Sequence, residues 1–446
     1  MSEFHLERFP NGLRLLTIEM PHLHSAEMLC YVGVGSRYES EDQGGISHFL
    51  EHMLFRGTED YPKSFCLEAA FESIGGAVNA STDAEATCYH TRFHPDRLDL
   101  CAQLFASLLR RPLLQGIEVE RRIIIEEALE DYNEHGVEIN ADNLTSRLLW
   151  PGHPLSQPTI GTRDSLAALD ITALQRHHRT FYTPHNTVIA IAGALTHSAA
   201  QQAISAAFAN WEGPPAPLPR LWSEPVQEQS GPESVWVHDS DSQVGVQLAF
   251  RLPGRSDSRQ MELRVLRRLL TCGGTSRLLL RLREELGLTY SVDAALSLFA
   301  DSGCLSIDLA VAPENLVAAI REVFNVLTEI CTIPVSGEEL ERLKATYLYD
   351  LDFSQDHTDE MATRYGWGEL CGTLRTTEDD RQAVIAITAD TLQRAARELL
   401  TPQRLKLAVV GPFRRRDQGE IATLLNDYGT KNEPAAATKS PEERHA

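Results

Sequence analysis

Cysteine is scarce and unpatterned: eight residues, at positions 30, 66, 88, 101, 272, 304, 331 and 371, with no Cys-x-x-Cys pair. That excludes a cysteine-built zinc site and argues against a disulfide framework, and it predicts buried thiols in a reducing compartment. Long apolar runs are missing too, so no segment is expected to span a membrane. The opening residues Met1-Ser2-Glu3-Phe4-His5 have neither the basic start nor the apolar core of a secretion signal, and the expected location is the cytoplasm. Positive charge is in deficit: 41 Lys and Arg against 63 Asp and Glu leave a net −22. This argues against nucleic acid or an anionic membrane as partner. The acidity serves either solubility or an interior that draws in basic peptides.

The 446 residues, 42% apolar and 23% charged, are too many for one core and have the composition of a soluble globular protein. Leu13 to Met20 and Ala26 to Val34 read as two strands of a hairpin or meander. Leu67 to Ile74 reads as a helix stopped by Gly75-Gly76, Val78 to Tyr89 as a strand, and Arg97 to Arg111 as an amphipathic helix closed by Pro112. Glu118 to about Leu149 reads as one long helical region with a bend at Gly136, and Ile171 to Phe181 as a helix leading into a strand at Val188 to Ala192.

Two stretches organise the rest. In Gly44-Gly45-Ile46-Ser47-His48-Phe49-Leu50-Glu51-His52-Met53-Leu54, the apolar spacing gives a helix with one buried stripe and places His48 and His52 one turn apart. Two neutral imidazoles so spaced suit zinc, whose catalytic sites use three protein ligands. Glu51 lies on the same face, placed to act as a general base without being a ligand. Downstream, Glu120 and Glu127 are seven residues apart and share a helix face. Glu127 can be the third ligand while Glu120 orients a histidine from behind. Glu126 competes for the ligand position but lies 100° away around the helix. His177-His178 read as a solvated edge and a packing contact, and His135, after the acidic run, as a candidate neighbour of the site.

Between about Glu212 and Glu233, six prolines mark a linker. Across it the chain repeats. Leu174-Gln175-Arg176 recurs as Leu392-Gln393-Arg394, Thr183-Pro184 as Thr401-Pro402 and Gly193 as Gly411, each at an offset of 218. A constant offset over a helix, a turn and a strand indicates a duplicated α+β fold. The expected division is 1–212, a linker at 213–233, a second domain at 234–430 and a disordered tail at 431–446.

The inverted His-x-x-Glu-His motif and Glu127 come with Gly35-Ser36-Arg37-Tyr38-Glu39, Gly75-Gly76-Ala77-Val78-Asn79-Ala80 and Gly152-His153-Pro154-Leu155, in that order. Together they resemble the M16 metallopeptidases, the pitrilysin, insulin-degrading and mitochondrial-processing-peptidase group, over most of the chain. The resemblance implies two duplicated α/β domains, each a mostly antiparallel sheet with helices packed on it, in the LuxS/MPP-like class. It implies one zinc per chain on His48, His52 and Glu127, with Glu51 as base and Glu120 behind the ligands. It assigns Asn79 and Ala80 to an edge strand where a peptide docks, and Arg283 and Tyr290 to holding substrate and the oxyanion. A chain with two such halves resembles the small class, which pairs with a second copy or a related chain to enclose peptides in a chamber. The expected activity is zinc endopeptidase; the alternative is a non-catalytic or partner-dependent subunit. One departure is Ser156, where the family usually has Gly.

Overall fold

A computed structural model describes residues 3–222 and 231–431. Six strands, β1 (His5–Arg8), β2 (Arg14–Glu19), β3 (Ala26–Val32), β4 (Asn79–Thr82), β5 (Thr87–Phe93) and β6 (Thr187–Gly193), form one sheet in the order β1-β2-β6-β3-β5-β4. Five more, β7 (Glu233–His238), β8 (Val244–Pro253), β9 (Thr289–Leu298), β10 (Ser302–Val311) and β11 (Leu405–Gly411), form a second in the order β7-β11-β8-β10-β9. With β1 set aside the orders are equivalent. Each sheet has one parallel pair, β2 with β6 and β7 with β11, and antiparallel neighbours otherwise. The duplication extends to element boundaries: β6 and β11 start 218 apart (405 minus 187), as do the helices Ile171–Phe181 and Ala389–Leu399 (389 minus 171).

Several local expectations are corrected. β2 and β3 are strands as expected but do not pair, because β6 inserts between them: a partner distant in sequence wins. The stretch Val78 to Tyr89 is a hairpin rather than one strand: Asp83 Oδ1 accepts the N–H groups of Glu85 and Ala86 at 2.7 and 2.8 Å and turns the chain. The long helix ends early, giving α-helices Ile117–Ala128 and Ala141–Leu149, with Gly136 at φ +72° in the loop between. Cys66 is exposed, and Cys272, Cys304 and Cys371 are half-buried, rather than buried as expected, although all eight cysteines are free thiols. Ser156 sits in a 3-10 turn without positive φ, so glycine is not required there.

The strands divide at the proline-rich segment, but the compact units do not. Among the described residues, one unit comprises 3–135, 150–221 and 348–382; the other comprises 136–149, 222, 231–347 and 383–431. Within the first, the sheet is covered on one side by a core including Phe49, Leu50, Met53, Phe71, Tyr89 and Phe105. Its other side, including Leu16, Leu29, Tyr31, Val188 and Ala190, is covered by helix Thr358–Leu370 through Met361, Ala362 and Tyr365. Gly366 lets that helix approach, since a Cβ there would meet the Ala190 Cβ at 2.8 Å. In the second unit, helix Ala141–Leu149 packs on β8 and β11, and Arg251 Nη1 donates to the Leu149 carbonyl at 2.7 Å. Residues 223–230 of the linker and 432–446 of the expected tail lie outside the described residues.

Candidate metal centre

Helix α1 (Ile46–Leu54) starts where only glycine fits: Gly45 has φ +88°, and a Cβ there would lie 2.4 Å from the Ile160 carbonyl oxygen. The stripe Ile46, Phe49, Leu50, Met53 and Leu54 is wholly buried. Burying each such side chain is worth about 2 kcal/mol, which fixes the rotation of the helix and so the direction of its opposite face. The buried carboxylate of Glu39 closes the N-terminus, accepting from Gly45 N–H at 2.7 Å and Ser47 N–H at 2.8 Å. An anion there also complements the helix dipole. Burial still pushes the Glu39 carboxyl up to about 7, against the hydrogen bonds that favour its charge.

Helix α2 (Ser64–Glu72) and helix α3 (Leu98–Arg110) follow in the same core. Helix α4 (Ile117–Ala128) then brings its acidic face to α1. His48 Nε2 lies 3.7 Å and His52 Nε2 3.6 Å from the two Glu127 carboxylate oxygens, and donor atoms of these three residues all fall within 4.8 Å of one another. Behind them, Glu120 Oε2 is 3.4 Å from His52 Nδ1, leaving Nε2 for the cluster. Arg56 Nη1 holds the other Glu120 oxygen at 3.2 Å. Burial, helped by nearby His52, pushes His48 down to about 4, keeping it the neutral imidazole that metals take. Two imidazoles, one carboxylate and a supporting carboxylate therefore fit a zinc ion. Glu126 is exposed and outside the cluster.

Glu51 is buried beside this cluster, and its Oε2 accepts from the Thr82 hydroxyl at 2.5 Å. Burial raises its pKa; the Thr82 bond and His52 oppose that rise, and Glu127 adds to it. Thr82 belongs to β4, the terminal strand of its sheet, together with exposed Asn79 and half-buried Ala80. Asp83 N–H donates to the Ala86 carbonyl at 2.9 Å. Counting back along the alternating antiparallel ladder, the N–H and C=O of Ala80 and Thr82 point away from β5. In the other unit, Arg283 lies in a π-helical turn, Leu280–Glu285, with its guanidinium 5.2 Å from the centre of the exposed Tyr290 ring.

Of the adjacent histidines, one is expected as a packing contact and the other as a solvated edge; the solvated edge is the part that is corrected. His177 is buried and bonded to Ser47 Oγ at 3.1 Å, and His178 Nε2 donates to the Leu109 carbonyl at 2.8 Å, so neither is a solvated edge. His135 is an exposed loop residue beside Glu134. Glu39, Arg56 and Thr82 escaped assignment, since each acts on a partner that only the fold brings near.

Burial holds His177 neutral, pushing it down to about 3 from an ordinary 6.5. The unfolded chain then binds the extra proton below 6.5, so stability is complete above that pH and is lost as pH falls towards 3. At pH 5 the loss from this one group is about 2 kcal/mol. His177→Gln should flatten the fall in urea-unfolding free energy between pH 7 and pH 5 by that amount; an unchanged slope would assign the acid sensitivity to other groups.

Two family models match the chain: Insulinase (Peptidase family M16) over residues 14–163, and Peptidase M16 inactive domain over residues 168–347. An uncharacterized zinc protease of Mycobacterium leprae is 31% identical over 410 residues, 91% of this chain and 91% of its own. Among solved structures, a protease from Helicobacter pylori shares the fold with a TM-score of 0.84 and 21% identity, over 92% of this chain and 99% of that one. The periplasmic protease PqqL of Escherichia coli matches with a TM-score of 0.77 and 21% identity, over all of this chain but 52% of PqqL. The two matched halves, the duplicated sheets and the relative aligned along nearly its whole length identify this chain as a member of the M16 peptidase family.

Proposed function

We propose that the chain is a zinc-dependent endopeptidase acting on extended peptides. The observation that carries this reading is the convergence of His48, His52 and Glu127 donor atoms within 4.8 Å, next to a carboxylate, Glu51, that is not part of the set. Bound zinc supplies a Lewis acid that polarises the scissile carbonyl and acidifies water. Glu51 accepts the proton of the attacking water and passes it to the leaving amine. Glu120 fixes the His52 ring. The outward backbone of β4 around Asn79 and Ala80 pairs with the peptide main chain, so recognition depends little on side chains. Arg283 and Tyr290 act as donors to substrate and the developing oxyanion.

We place the protein in the cytoplasm on the strength of its eight free thiols. Among the described residues no helix is long and apolar enough to cross a membrane. The substrates are peptides, with basic ones favoured by the net charge of −22. Because the chain spans about half the length of PqqL, a second copy or a related chain completing a chamber accompanies this reading. The same observation supports a second one, in which the chain is a partner-dependent or non-catalytic subunit.

Metal analysis and cleavage of a quenched fluorescent peptide library test the proposal. About one zinc per chain is expected, with cleavage lost on chelation and restored by adding zinc back. Zinc without cleavage would favour the partner-dependent reading, and absence of zinc would favour the non-catalytic one.

A further inference from the structure

The strand proposed to dock the peptide and the carboxylate proposed to take the proton are joined by one hydrogen bond. Thr82 Oγ1 lies 2.5 Å from Glu51 Oε2. An ionised carboxylate only accepts, so the hydroxyl is the donor and its single proton is committed to Glu51. The neighbouring Thr87 hydroxyl, 3.4 Å from Thr82, donates instead to the Val34 carbonyl at 2.9 Å, so it does not compete for the carboxylate. Thr82 is held on both sides: its strand pairs with β5 through Thr82 opposite Thr87, and Ala80, two residues back on the same face, packs against the core that contains α1. The main-chain groups of Thr82 meanwhile face away from β5. One residue thus presents its backbone to an incoming strand and its side chain to Glu51.

We propose that Thr82 is the positioning residue for Glu51, coupling the orientation of this carboxylate to the strand on which the peptide docks. The inference rests on the peptidase reading for its kinetic consequence, but the hydrogen bond itself does not depend on that reading. Without the hydroxyl, Glu51 keeps one fewer restraint on its side-chain torsions and is not delivered to the attacking water in a fixed place. Misplacement of a reacting group by about 1 Å costs on the order of a hundredfold in rate.

Thr82→Val removes the hydroxyl and keeps the shape; Thr82→Ser keeps the hydroxyl. On a quenched peptide, Thr82→Val should lower kcat roughly 10- to 100-fold with KM and zinc content unchanged, and Thr82→Ser should recover most of the loss. Infrared difference spectra read the bond directly. The Glu51 carboxylate stretch, identified by its absence in Glu51→Gln, should move in Thr82→Val and return in Thr82→Ser. A stretch that stays put in Thr82→Val overturns the proposal, as does a kcat loss that Ser does not rescue or that follows loss of zinc. If the wild type cleaves nothing, the peptidase reading fails while the infrared result still decides the role of Thr82.

Discussion

Glu51→Gln should abolish peptide hydrolysis, by roughly 10²- to 10⁴-fold or more, while the protein keeps its zinc. The two halves of that result come from different parts of the site. Gln has the size of Glu and an oxygen that can still accept from Thr82, so the buried pocket is filled and the hydrogen bond at 2.5 Å has a replacement acceptor. What it lacks is a lone pair basic enough to take a proton from water. The metal set is untouched, because the converging donors are His48, His52 and Glu127. Metal content and turnover measured on one preparation check both halves. Retained cleavage would move the base to another group, and loss of zinc would make Glu51 part of the metal set.

The largest stability loss is expected from Arg37→Leu. The Arg37 side chain is fully buried; its Nη1 meets Glu85 Oε1 at 2.6 Å, and its Nε and Nη2 donate to the Arg220 carbonyl at 3.2 and 2.9 Å. Removing the guanidinium leaves the buried Glu85 carboxylate without that cation, which costs about 3–5 kcal/mol, against about 1 kcal/mol or less for an exposed pair. Changing both Arg37 and Glu85 to apolar residues should return much of the loss, since the double change removes the stranded charge. Urea unfolding of the two single variants and the double variant measures the coupling. The pair also ties the turn between β4 and β5 to the segment that leads into α1. A double variant that is stable but has a raised KM would locate that tie in peptide docking.

How much of this could be read from the chain alone depends on distance along it. The buried stripe of α1, with its histidines one turn apart, is a local pattern, and a pattern of period 3.6 survives into the structure because burial enforces it. The offset of 218 was legible for a similar reason, since each matched segment is a short local unit. The hairpin at Asp83 was also local and could have been found, because an Asp followed by three residues that turn back is an Asx-turn signature. The place of β6 between β2 and β3 could not, since it is decided by pairing across more than 150 residues. Nor could the capping of α1 by Glu39, because Gly44 and Gly45 stand where a capping side chain would ordinarily be sought.

The exchange of helices sets a timetable for synthesis. β6 ends at Gly193, but the helix that covers the far face of its sheet begins at Thr358, which is 165 residues later (358 minus 193). At roughly 5–20 residues per second, a ribosome takes on the order of ten to thirty seconds to make that stretch. During that interval Leu16, Leu29, Tyr31, Val188 and Ala190 have no Met361, Ala362 or Tyr365 to cover them. The nascent chain must carry an apolar sheet face in water, or on a chaperone, until well over half of the second half has been made. An N-terminal fragment ending near residue 212 would carry the same bare face permanently.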